Sequence, residues 1–283
     1  MIDTNAFTDF LNTLAERSAK QIQLQDGDYI GENGLVYCGK CNTPKQCIPI
    51  PENPNFKPFC ACKCLTEKKA AEERERKEQE RRERIERNRK AGITDTKLLK
   101  CTFENDKFPQ SKTSSRLRKY CEEYRKAYEN NIGLLLWGDC GVGKSFYAGC
   151  VANALIDRGQ RVLCTAFPKI LNGLFSADDK NAYINSIVDY DFLIIDDLGT
   201  ERDTAYAVEQ LYTVIDERYK SNKPTIITTN LNPQNFAKEQ DIAFKRIYSR
   251  VTEMCVPLFV EGDGLRTAAA KAKTEKLLDI LGG

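Results

Sequence analysis

The chain of 283 residues has no histidine, one tryptophan and two methionines. Without imidazole, the Ser-His-Asp triad, histidine acid–base catalysis and histidine-ligated metals are all excluded. Long apolar runs are missing too. Mean hydropathy is -0.52, apolar stretches are as short as Leu134–Trp137, and a bilayer-spanning helix needs about 20 such residues. The opening Met1-Ile2-Asp3-Thr4-Asn5 lacks the basic start and apolar stretch of a secretory signal, so a cytoplasmic location with no membrane partner is expected. Excess charge of one sign is also absent. With 43 Lys and Arg against 41 Asp and Glu, the net charge is +2, and any affinity for nucleic acid must come from local patches.

Cysteine, by contrast, is plentiful. Of 12 cysteines, half fall before residue 65. In a reducing compartment such a cluster reads as a metal site before it reads as a disulfide scaffold. Cys38-Gly39-Lys40-Cys41 is a C-x2-C knuckle, followed by Cys47 and by Cys60, Cys62 and Cys64. Two thiolates at that spacing can bite one tetrahedral Zn²⁺, and a second pair closes the shell. The set expected is Cys38, Cys41, Cys60 and Cys62, with the fourth ligand open among Cys47, Cys60, Cys62 and Cys64. Four protein ligands make a closed, structural site. Ahead of it, Phe7, Phe10, Leu11 and Leu14 share one helical face, suited either to packing within the domain or to docking on a partner.

Residues 67–90 carry 11 basic and 8 acidic side chains. Pairs such as Glu72/Arg76, Glu78/Arg82 and Glu83/Arg87 fall at i, i+4, so a solvated linker helix ending near Gly92 is predicted. Three domains follow: 1–65 metal-binding, 66–92 linker, and 93–283, where short strand-like runs alternate with amphipathic helices in the manner of an α/β fold with a parallel sheet.

The chemistry lies in this last block. Leu134–Trp137 leads into Gly138-Asp139-Cys140-Gly141-Val142-Gly143-Lys144-Ser145, a complete G-x-x-x-x-G-K-S phosphate loop, and then into a helix with Ala148, Val151, Ala152 and Leu155 on one face. The glycines let backbone amides approach phosphate, Lys144 reaches the β and γ phosphates, and the Ser145 hydroxyl ligates Mg²⁺. A second apolar run, Phe192–Ile195, ends in Asp196 and Asp197. Asp196 fits the magnesium side and Asp197 a base or water-positioning role. Thr225–Thr229 reads as another buried strand, with the amide of Asn230 at its tip. Arg246 and Arg250 lie four apart on a helical segment, and Arg266 opens the last helix.

From about Gly92 onward this ordered set resembles the AAA+ ATPases of the DnaC, DnaI and IstB group. The resemblance rests on Gly138–Ser145, on LIIDDLG at 193–199, TTN at 228–230, KRIYSRV at 245–251 and Arg266 after GDGL. It implies a phosphate-loop three-layer sandwich with a central parallel sheet, ATP hydrolysis with Mg²⁺, and self-association into a ring or spiral. It further implies that Asn230 is a first sensor, Arg250 a finger reaching a neighbour's site, Arg266 a second sensor in cis, and Thr204 and Tyr206 contacts to single-stranded DNA. The front end resembles the zinc-bearing domain by which DnaI-type loaders grip a hexameric replicative helicase. Two departures stand out: no histidine completes a mixed zinc set, and Asp197 stands where many AAA+ proteins carry Glu, a shorter reach that fits slow turnover. The function implied is ATP-dependent helicase loading. The alternatives are an IstB-like transposition helper, which needs no metal-binding grip, a P-loop phosphotransferase, which needs no finger in trans, and an adaptor with a vestigial ATPase.

Overall fold

A computed structural model describes residues 24–47, 57–199 and 204–262, with positions 13 and 277. The stripe from Phe7 to Leu14, and Arg266, lie outside the described residues. The chain divides into two compact units, 1–80 and 81–283. In the first, β1 (Tyr29–Ile30) and β2 (Val36–Tyr37) form an antiparallel hairpin with Tyr29 opposite Tyr37. Asp28 and Lys45 form a buried ion pair at 2.5 Å beside it.

Helix α1 (Lys63–Gly92) carries the charged stretch. Arg76 bonds Glu73 and Glu80 rather than Glu72, whose own partner is Lys68. The i, i+3 and i, i+4 neighbours compete for each cation, and at this exposure each pair contributes little to stability.

The second unit is built on a five-stranded, wholly parallel sheet. Its strands are β3 (Gly133–Trp137), β4 (Val162–Ala166), β5 (Phe192–Leu198), β6 (Thr225–Thr229) and β7 (Cys255–Phe259), in the spatial order β4-β5-β6-β3-β7. Strands buried on both faces need continuous apolar sequence, which β3 and β5 supply. Alternate side chains then enter separate cores. Leu135, Leu163, Leu193, Ile195 and Ile227 pack on one face against α5 (Phe167–Ser176), α6 (Lys180–Val188), α7 (Ala205–Lys220) and α8 (Ile242–Met254). Leu134, Leu136, Phe192, Ile194 and Ile226 pack on the other against α2 (Lys112–Glu122) and α4 (Lys144–Asp157), with α3 (Tyr124–Glu129) alongside α2. This is the three-layer sandwich expected. The edges are managed: Pro257 lies in the edge strand β7, and Thr94 donates its amide to Cys164 on the open side of β4.

Candidate nucleotide site and cysteine cluster

The phosphate loop joins β3 to α4. Gly138 is required sterically, since a Cβ there would lie 2.8 Å from the Val260 carbonyl oxygen. Gly143 takes φ +101°, a left-handed conformation, as the N-cap of α4. Helices α2, α6, α7 and α8 have side-chain oxygens on their first amides, from Ser111, Asp179, Thr204 and Asp241. No side chain caps α4, so its positive end faces the loop, an arrangement that suits an anion.

Strand β6 lies between the loop strand β3 and the Asp strand β5, and this order decides the geometry. Lys144 is only 5% exposed. Its Nζ donates to Gly138 O at 2.9 Å, Asp139 O at 2.8 Å and Asn230 Oδ1 at 2.6 Å. One residue pair back, Thr228 donates its hydroxyl to Asp196 Oδ1 at 2.7 Å and accepts the Asp197 amide at 2.8 Å. Burial lifts the Asp196 pKa above the ordinary carboxylate value, and hydrogen bonds from Thr228 and Ser145 partly offset this. Lys144, Ser145, Asp196 and Asn230 are thereby brought into one constellation. A basic amine, a hydroxyl and a carboxylate in this order fit a triphosphate and its magnesium ion: the loop and Lys144 would hold phosphate, Ser145 and Asp196 the metal.

Asp197 lies within β5 but breaks its regular backbone. Its φ of +64° is unusual for a residue with a side chain, and the β5–β6 register shifts between Ile195 and Leu198. The bulge interrupts the β5–β6 pairing at Asp196 and Asp197, so the two carboxylates are held by different backbone geometry and need not share one task.

The remaining residues of interest sit elsewhere on the second unit. On α8, Arg250 donates Nε to Asp216 Oδ1 at 3.1 Å, and its guanidinium lies 4.4 Å from the centre of the Tyr219 ring. Thr204 caps α7 by accepting the Ala207 amide at 3.2 Å. Tyr206 packs on Phe175 with ring centroids 5.1 Å apart, and Lys180 Nζ stands 5.4 Å from the Tyr206 ring. Phe175, 64% exposed, carries no local motif that sequence could flag; only its pairing across 31 positions marks it.

In the first unit the thiol sulfurs of Cys38, Cys41, Cys62 and Cys64 lie within 4.8 Å of one another. Cys60, expected in this group, is not among the four, and Cys64 stands there instead. The amide of Cys60 is fixed to Lys45 O at 2.8 Å and its thiol bonds Pro44 O at 3.5 Å, whereas the start of α1 at Lys63 turns Cys64 back beside Cys62 and Cys38, at 3.4 and 3.6 Å. Tetrahedral Zn–S bonds of ~2.3 Å imply sulfurs about 3.8 Å apart, so the cluster fits a metal of that size. The Thr43 hydroxyl brings the Cys41 pKa down to about 6, and hydrogen bonding with the Cys62 thiol, then with those of Cys38 and Cys41, pushes Cys64 up to about 12. Among the described residues, no helix is long and apolar enough to cross a membrane.

Sheet order and loop together define a phosphate-loop nucleotide-binding domain of the AAA+ type. A family model described as "IstB-like ATP binding protein" matches residues 69–273, and the chain belongs to that family. It is 28% identical over 147 residues to the replicative helicase loader DnaC of Escherichia coli (strain K12), across 49% of this chain and 58% of that protein. It is 23% identical over 164 residues to the replicative helicase loader DnaI of Bacillus subtilis (strain 168), across 52% and 53%. The chain thus spans little more than half the length of these curated relatives. A crystal structure of DnaI matches with a TM-score of 0.52 at 22% identity, over 62% of this chain and 95% of that one. A crystal structure of the DnaC helicase loader gives 0.50 at 23%, over 59% and 100%. At such identities these two likenesses are of fold.

Proposed function

We propose that this chain is an ATP-hydrolysing switch that loads a hexameric replicative DNA helicase onto single-stranded DNA in the cytoplasm. The observation that carries the reading is the tip of β6: Asn230 touches Lys144 while Thr228, two residues earlier, holds Asp196 and the amide of Asp197. A strand in contact with both the phosphate lysine and the acidic pair is suited to transmit the state of a γ-phosphate through the sheet. A phosphotransferase acting on a small acceptor needs no such coupling.

The roles follow from the chemistry. Gly138 to Ser145 would bind the triphosphate, Ser145 and Asp196 the Mg²⁺, and Asp197 would orient the attacking water. Magnesium supplies charge neutralisation on the phosphates. Arg250 would act on a neighbour's nucleotide in a ring or spiral, and Arg266 on its own. Tyr206, backed by Phe175 and Lys180 and adjacent to Thr204, offers an aromatic face and a cation for stacked bases. Zinc held by Cys38, Cys41, Cys62 and Cys64 would stabilise residues 1–65 as the helicase grip, joined through 66–92 to the ATPase domain at 93–283. Similarity to DnaC and DnaI supports the partner assignment.

A second reading, a transposition helper, is favoured by the family match itself. The two are separated by mixing the full chain with a purified hexameric replicative helicase, with ATP or with ADP, and following complex formation by light scattering and helicase delivery to a DNA fork by unwinding. A nucleotide-dependent complex that delivers helicase is the expected result. Absence of any complex, with ATPase activity stimulated instead by duplex DNA and a transposase, would favour the helper.

A further inference from the structure

Strand β6 lies in the middle of the sheet, and Ile226 and Ile227 enter its two apolar cores as such a strand requires. Its three threonines, Thr225, Thr228 and Thr229, are nonetheless fully buried. A hydroxyl taken out of water costs free energy unless it is hydrogen-bonded, so each calls for a reason. Thr225 accepts Arg218 Nε at 3.1 Å, and Thr229 donates to Leu198 O at 2.8 Å and accepts the Leu231 amide at 3.1 Å. Those two brace the frame of the sheet. Thr228 bonds the acidic pair.

Register explains the difference. Ile195 pairs with Ile227 and Leu198 with Thr229, so Asp196 and Asp197 together stand against the single residue Thr228, the two-against-one count of a β-bulge. A bulge disrupts the ladder locally, and at this one the Asp197 amide is met by the Thr228 hydroxyl, which accepts it at 2.8 Å. A hydroxyl has only one proton to give. That proton goes to Asp196 Oδ1, at 2.7 Å. Valine has the same shape and suits a buried strand, but it could do neither.

We infer that Thr228 is a positioning residue for the divalent cation: holding Asp196 Oδ1 sets the plane in which that carboxylate is offered, and accepting the Asp197 amide fixes the bulge that holds the two acids apart in role. The inference rests on the proposal that the loop and Asp196 take a triphosphate with Mg²⁺, and it deepens that reading. The Ser145 hydroxyl also bonds Asp196, but in the same proposal it turns to the metal. Thr228 is then the partner left to orient the carboxylate when the site is filled. Ligating carboxylates depend on such outer hydrogen bonds, and losing one typically lowers metal affinity or activity about 10- to 100-fold.

The test uses Mn²⁺ as the probe metal and a non-hydrolysable ATP analogue, so that it reads binding and needs no turnover. For the full chain with the analogue, electron paramagnetic resonance gives the Mn²⁺ concentration that half-fills the site, and calorimetry in EDTA gives the affinity for the analogue without metal. Thr228→Val should raise the half-filling concentration about tenfold or more and alter the Mn²⁺ spectrum, while the affinity in EDTA is unchanged. Thr228→Ala should do the same, and it stands in should the branched substitute disturb the bulge. Thr228→Ser keeps the hydroxyl and should restore both the unmodified concentration and the unmodified spectrum. Thr225→Val makes the same exchange at the other end of the strand; it should lower the thermal melt and leave the Mn²⁺ requirement alone. An unmodified Mn²⁺ requirement in Thr228→Val and Thr228→Ala, a Thr228→Ser chain as impaired as Thr228→Ala, or an equal loss in Thr225→Val would each overturn the assignment. Failure of the unmodified chain to bind the analogue at all would instead remove the nucleotide reading on which it rests.

Discussion

Lys144 is a charge the fold has almost removed from water, with two loop carbonyls and the Asn230 amide oxygen as its partners. Those acceptors lie at the strand tips and not in either apolar core, so the lysine organises a site more than it supports the sheet. Lys144→Ala should therefore abolish triphosphate binding, read by calorimetry, while the thermal melt moves only a few degrees. A melt collapsing along with binding would make the residue structural. Asp197 permits a cleaner probe than most acidic residues. Its left-handed φ of +64° is one that Asn adopts readily and β-branched residues do not. Asp197→Asn removes the charge without new backbone strain, and it should bind ATP normally while losing hydrolysis about 100-fold or more, the usual range for a positioned base. Retained turnover in that variant would assign water positioning to another group.

At the scale of elements, the sequence made the phosphate loop, its helix and the two apolar strands legible because each is a local pattern: a glycine spacing, a 3.6-residue period, an unbroken apolar run. The order β4-β5-β6-β3-β7 was not legible, since parallel strands pair through crossovers whose sequence carries no register. Yet that order sets Asn230 and Thr228 between loop and carboxylates. The choice of Cys64 over Cys60 was hidden for a related reason, because it turns on where α1 begins. This yields a direct comparison: about one zinc per chain by mass spectrometry, kept in Cys60→Ser and lost in Cys64→Ser and in Cys38→Ser/Cys41→Ser. Zinc loss in Cys60→Ser would reinstate the ligand set expected from spacing. Arg218 on α7 was equally invisible. Fully buried, it donates to the carbonyls of Val188, Tyr190, Asp191 and Pro224 and to the Thr225 hydroxyl, tying the end of α6 to the starts of β5 and β6. Burial lowers its pKa to about 10. Arg218→Met should cost about 3 kcal/mol or more in chemical denaturation, because several buried acceptors lose their donor together.

For the molecule as a whole, the question is whether one chain contains a complete catalytic site. Within its own chain Arg250 is engaged with Asp216 and the Tyr219 ring, while Lys144, Ser145 and Asp196 gather at the strand tips of the sheet. If Arg250 serves a neighbouring subunit, assembly must exchange the Asp216 pairing for a developing negative charge on phosphate, a trade favoured only in the transition state. Arg250→Ala should then bind ATP nearly normally and lose turnover by ~10³-fold, the scale of an arginine finger. The decisive measurement mixes two inactive proteins. An Arg250→Ala chain retains its phosphate loop, a Lys144→Ala chain retains its finger, and a head-to-tail contact between them creates one intact site that neither parent possesses. Activity should reappear on mixing and should vanish again when the chains are diluted below their association range. An Arg250→Ala protein that hydrolyses ATP at the unmodified rate while self-associated would leave Arg250 as a structural partner of Asp216. Arg246, one helical turn earlier on α8, would then be the side chain to carry through the same mixing experiment.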